Sequence, residues 1–315
     1  MRRFLLTCLT LCLALPAAAQ DPIARADALL RAGRMSAAES LYYAAVRVSP
    51  RDPAARLALG KYLAARGALK VGAVLMEEAR FFGGDAKVVA EQLAPVYRRL
   101  GAYDSLVTLP GSPLSAAEQM RAQWLRSNPI VVSGPETATL GYRSAEAGML
   151  GRITLVIGSD SVEASIDPSA EGLTLDTAWA RRRGIRSFGD EGEKEARRLA
   201  GVAATVGYGA LSMRNVPVRF AAQRGAWGAV IGIDLLGTLA PTFDPRASTI
   251  TLRRSGKVEE SIQGIRAPTL LRSDGLWMVR GRSMISLGSG DAQRVLRNSR
   301  WTFNARRGEI IVAAR

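Results

Sequence analysis

In 315 residues the chain sets 43 Lys and Arg against 28 Asp and Glu, a formal charge of +15, with 48% hydrophobic residues, no histidine and two cysteines. Both cysteines, Cys8 and Cys12, fall in the first twenty residues. The rest of the chain therefore excludes a Ser-His-Asp triad, a thiolate nucleophile, the usual zinc sites and a stapling disulfide, and leaves carboxylates, or a serine–lysine pair, as tools for chemistry.

Only five of the basic residues are lysine and the arginines are scattered, so the charge reads as composition and no nucleic-acid partner is expected. Arg2 and Arg3 precede an apolar run from Phe4 to Leu15, then Pro16 and Ala17-Ala18-Ala19. This is the pattern of a secretory signal peptide over residues 1–19 with an Ala-x-Ala cleavage site. The run falls short of the ~20 residues of a membrane span, so an exported protein, periplasmic or secreted, with no integral membrane segment is expected. The roughly 295 residues that follow are enough for two domains without metals or cofactors, and none is expected.

From Pro22 to about Leu109 apolar residues recur at three-and-four spacing in Ala-, Leu- and Arg-rich sequence, which predicts amphipathic helices packed in pairs. Gly33, Gly67 and Gly101 fall in register at 34 residues, and Met35, Leu69 and Tyr103 follow each by two. With Ala38, Tyr42, Ala45 and Pro50 around the first glycine and Gly72 at the small position of the second unit, residues 20–109 resemble tetratricopeptide repeats. The resemblance implies either a groove that recruits a protein partner or a helical array with no ligand. Pro110-Gly111-Ser112-Pro113 breaks the pattern, and Ser115 with Glu118 predicts a capping box opening one more helix. Residues 110–149 are read as a linker holding that helix.

The period then changes to two. Ile153–Ile157 and Val162–Ile166 predict a β-hairpin that delivers Asp167, followed by Pro168-Ser169-Ala170, a strand Leu173-Thr174-Leu175 and a short helix capped by Asp176. Val206-Gly207-Tyr208-Gly209, Ile231-Gly232-Ile233-Asp234-Leu235-Leu236, and Thr242-Phe243-Asp244 with Ile250-Thr251-Leu252 come next. Taken in order, residues 150–254 resemble the retropepsin-like aspartic proteases. The resemblance implies a mainly-β acid-protease barrel, Asp167 as the catalytic carboxylate, Ser169 and Ala170 in its signature loop, and Gly207, Tyr208 and Gly209 on a flap over a peptide or protein substrate. It also implies a homodimer in which Asp167 meets its copy, the two carboxyls sharing one proton. Pro168 and Ser169 stand where the family has threonine and glycine. Asp234 and Asp244 resemble its structural acids.

Other readings stay open beside these. Asp167-Pro168-Ser169 are also turn formers, so a plain turn after a strand, in a pseudoprotease that only binds peptides or proteins, competes with catalysis. Tyr208 could equally pack on the sheet. The tail 255–315 is read as strands extending the β domain. Its Thr302-Phe303-Asn304 and Ile310-Ile311-Val312 echo Thr242-Phe243-Asp244 and Ile250-Thr251-Leu252 sixty residues on, with a partial second lobe as the alternative to chance. The expected fold class is multi-domain α plus β: helical repeats, then a β barrel with extra strands.

Overall fold

The structure is a computed structural model that describes residues 21–143, 148–189, 200–222 and 228–313. The expected signal peptide, residues 1–19, lies outside them. Helices occupy the N-terminal part and β-sheets the C-terminal part, so the protein is α plus β. Among the described residues no helix is long and apolar enough to cross a membrane.

Six helices come first: α1 (Pro22–Arg31), α2 (Met35–Val48), α3 (Pro53–Ala65), α4 (Leu69–Phe81), α5 (Ala86–Leu100) and the short α6 (Tyr103–Val107). Asp21, Asp52 and Asp85 start three of them, each carboxylate accepting a first-turn N–H at 2.9 Å. Gly33, Gly67 and Gly101 turn the chain after α1, α3 and α5 with φ of +71°, +90° and +67°, a conformation that costs glycine nothing. Gly60 on α3 and Gly72 on α4 each lie under the other's carbonyl oxygen, where a Cβ would come within 2.9 and 2.7 Å. These two residues let the helices meet backbone to backbone. Helix α7 (Ala116–Ser127) follows, its capping box between Ser115 and Glu118 formed in both directions.

Residues read above as part of a linker contain two strands, β1 (Val131–Ser133) and β2 (Thr137–Gly141). Their β-branched residues sit among Gly, Ser and Pro, and their pairing partners lie 79 to 116 residues further on, so no local period announced them. Next come β3 (Gly151–Ile157), β4 (Asp160–Asp167), β5 (Leu173–Asp176), α8 (Thr177–Arg182) and β6 (Arg186–Phe188). Then follow β7 (Ala200–Tyr208), β8 (Leu211–Ala221), β9 (Ala229–Gly232) and α9 (Ile233–Leu236). Strands β8, β5, β9, β4, β3 and β7 pair in that order, and β7 pairs back onto β8, which closes a barrel. Alternate residues of β3 and β8 point into its core.

The second sheet begins with β10 (Thr242–Asp244) and β11 (Thr249–Arg253) and is completed by the tail: β12 (Ile265–Arg272), β13 (Gly275–Arg280), β14 (Ser283–Ser286), α10 (Gly290–Leu296), β15 (Trp301–Asn304) and β16 (Glu309–Val312). Its order is β14-β13-β12-β16-β15-β10-β11-β2. Hairpins β10–β11 and β15–β16 have the same register, Phe243 opposite Ile250 and Phe303 opposite Ile310. They meet through antiparallel β10 and β15, where Thr242 faces Thr302. The sixty-residue echo is thus a local two-fold relation between adjacent hairpins. The helices dock along this sheet: Arg66 Nη1 donates to Thr269 O and Gly308 O, and Leu270 joins the core of α1 to α3.

Candidate functional site

Asp167 ends β4 beside Gly232 of β9. Its side chain is half-buried, and its Oδ1 accepts the Ser169 N–H at 2.7 Å, the bond of an Asx turn. Pro168 is buried and Ser169 exposed. The Ala170 carbonyl lies where a Cβ on Gly232 would meet it at 2.4 Å, so glycine alone fits opposite.

The far side of this turn is occupied by the same chain. Leu276 N–H donates to Pro168 O at 2.9 Å, and Leu287 N–H donates to Leu276 O at 2.9 Å. Gly275 stands against Pro168 O and Ser169, and Gly288 against the Pro168 ring. A proline can take part here because only its carbonyl is used. β14, the strand that runs to this contact, ends in Ser286 rather than an acid. Asp274 precedes Gly275, but its carboxylate accepts from Trp277 Nε1 at 3.1 Å and pairs with Arg272 at 3.3 Å. Part of the turn, at Pro168, is therefore covered by residues of the same chain.

Gly207, Tyr208 and Gly209, read either as a flap or as packing on the sheet, lie at the turn end of the β7–β8 hairpin. Tyr208 is 0% exposed, a core residue of the barrel, and its hydroxyl has no partner among the described residues. Burial pushes that hydroxyl's pKa up, so it stays protonated. Gly207 packs on Val156 of β3, and Gly209, at φ +61°, turns the β7–β8 hairpin against Leu140 of β2. A short alternating stretch reads alike for a free flap and for a strand whose tip is buried, and only closure of the barrel separates them.

Asp234 and Asp244 have structural partners. Asp244 Oδ1 accepts the Ala247 N–H at 3.0 Å, and Asp234 accepts the Gly172 N–H with both oxygens, at 2.9 and 3.1 Å. Burial raises the pKa of Asp234, and the Gly172 N–H offsets this only in part.

A charged group that sequence reasoning missed surrounds Asp234. Arg98 of α5 reaches Glu118 at 3.6 Å and Glu171 at 3.2 Å, and Arg219 of β8 also pairs with Glu171. Burial alone would raise the Glu171 carboxyl, yet Arg98 and Arg219 outweigh it and hold the pKa below its usual value. These residues come from two helices, a loop and a strand far apart in sequence. The pair Arg98-Arg99 was the one visible trace, and it reads as ordinary basic capping of a helix end.

No family model matches the chain, and no curated protein matches its sequence. Among solved structures, a retropepsin-like aspartic protease from Rickettsia conorii is similar with a TM-score of 0.27 and 13% identity, over 39% of this chain and 92% of that one. A likeness that loose decides nothing about activity.

Proposed function

We propose that the β half is a lobe of the retropepsin-like type fused to an abbreviated second lobe, and that the protein is a binding module, not a peptidase. The order of the barrel elements supports the first part, as does the two-fold relation of β10–β11 to β15–β16. One observation carries the second: the Leu276 N–H bond to Pro168 O. Aspartic proteolysis requires two carboxyls close enough to share a proton. Here Gly275, Leu276 and Gly288 of the same chain pack on the turn that follows Asp167, and no second carboxyl stands against Asp167 among the described residues that make this contact. On this reading the paired helices, which resemble tetratricopeptide repeats, recruit a peptide or protein partner, and the leader sends the protein to the periplasm or outside the cell.

Peptidase assays between pH 3 and 7 on the mature chain and on Asp167→Asn test the proposal. Neither protein should release peptides above a blank, and both should sediment as monomers. Hydrolysis by the wild type that disappears in Asp167→Asn would overturn it in favour of an aspartic endopeptidase acting as an Asp167 homodimer.

A further inference from the structure

Helices α5 to α7 and the barrel line an open-mouthed cavity of about 390 Å³, a volume typical of small-ligand sites. It lies apart from the turn of Asp167. Four guanidinium groups and three carboxyls line it, an excess of one positive charge. The carboxyls are already satisfied: Glu118 by its capping box and Arg98, Glu171 by Arg98 and Arg219, Asp234 by Gly172 N–H.

Arg98 and Arg219 are paired with these carboxyls, but Arg99 and Arg121 have no ion pair among the described residues. Arg121 is 5% exposed, and its one hydrogen bond among the described residues runs from Nη1 to Val218 O at 2.8 Å. The Arg99 side chain, half-buried, makes no hydrogen bond or ion pair among the described residues. Burial lowers the pKa of both, that of Arg121 to about 10, and Glu118 near Arg121, like Asp234 and Glu171 near Arg99, gives back only part of the loss. Arginine nonetheless stays charged at neutral pH. A cation partly withdrawn from water and only partly offset by its neighbours gains when an anion arrives. The remaining wall is apolar, with Leu106, Leu125, Ile130, Val132 and Met213.

We infer that this cavity is a binding site for a small amphipathic anion, with an oxyanion head, carboxylate or phosphate monoester, on Arg99 and Arg121 and an apolar body against the α7 and β1 wall. The head would complete the charge balance of the cluster, and planar guanidinium suits either oxyanion. The tail replaces water on an apolar surface.

Calorimetric titration of the full mature chain with octanoate, octyl phosphate, octanol and acetate tests this. One of the two eight-carbon anions should bind at least about tenfold more tightly than octanol, and acetate should not register. Comparison of octanoate with octyl phosphate identifies the head group. Arg99→Gln should lose about tenfold in affinity for the anion while octanol is unchanged, and without ligand its Tm should stay level or rise, because an unpaired charge has gone. Asp167→Asn should bind as the wild type does. Anions no tighter than octanol, no binding at all, or full affinity in a folded Arg99→Gln would each overturn the site.

Discussion

Thr242 and Thr302, sixty residues apart, face each other across β10 and β15 with their Oγ1 atoms 2.8 Å apart and buried. Equivalent residues of two hairpins meet at the local two-fold, as the same residue of two subunits meets at the axis of a symmetric dimer. Phe243 and Trp301 stack beside them at 4.0 Å. Thr242 also accepts from Arg253 Nη1 at 2.8 Å, so the two threonines are not equal in weight. Thr242→Val should cost about 1–3 kcal/mol, since it leaves Thr302 and Arg253 short of a partner. Thr302→Val should cost less, and the double variant less than the sum of the two. Urea unfolding of the four proteins gives the coupling directly; strict additivity would mean that the hydroxyls do not act on one another.

Asp167 should behave as a turn residue. Asp167→Asn keeps an oxygen for the Ser169 N–H and should fall within about 0.5 kcal/mol of the wild type. Asp167→Ala removes the acceptor and should cost about 0.5–1.5 kcal/mol. The urea midpoint at constant m-value reads both.

What the sequence disclosed was local. The helix-ending glycines, the Ser115–Glu118 box, the Asp176 cap, which accepts the Trp179 N–H at 2.8 Å, and the β3–β4 hairpin all rest on contacts a few residues long, and their patterns survive in composition. The decisive features of the site are not of that kind. Leu276 meets Pro168 from more than a hundred residues away, Arg121 reaches Val218 across 97, and β2 finds β11 across a similar distance. Pairing of distant segments leaves no period to read. Tyr208 shows the same limit, because alternation gives two faces without saying that one of them closes into a barrel.

Asp234 sets a pH dependence whose sign follows from burial. Its folded pKa is raised above the ordinary carboxylate value, so the native state keeps the proton where the unfolded chain has lost it. Stability from this group therefore falls as pH rises from the unfolded carboxylate range through the raised folded value, and is flat above it. Asp234→Asn retains an acceptor for the Gly172 N–H and lacks the titration. The stability of that variant relative to the wild type should rise between pH 3 and 7, measured by denaturant unfolding at each pH. Glu171, held low by Arg98 and Arg219 against the effect of its burial, runs the other way and loses its contribution as the medium is acidified. Glu171 also helps to raise Asp234, so the difference between wild type and variant reads Asp234 together with its coupling to Glu171.

Gly67 and Gly101 share a position in the 34-residue spacing and a left-handed backbone, at φ +90° and +67°, but not their surroundings. A Cβ at Gly101 meets nothing within 4 Å, whereas one at Gly67 would stand 2.1 Å from Ala305 O, in the turn between β15 and β16. Gly101→Ala should therefore cost only the conformational strain, about 1–2 kcal/mol. Gly67→Ala should carry the same strain and about 1–3 kcal/mol more, because the methyl pushes the helices off the second sheet beside the Arg66 bonds to Thr269 and Gly308. Thermal melts of the two variants decide the point. Equal losses would mean that the turn after α3 is not a docking contact.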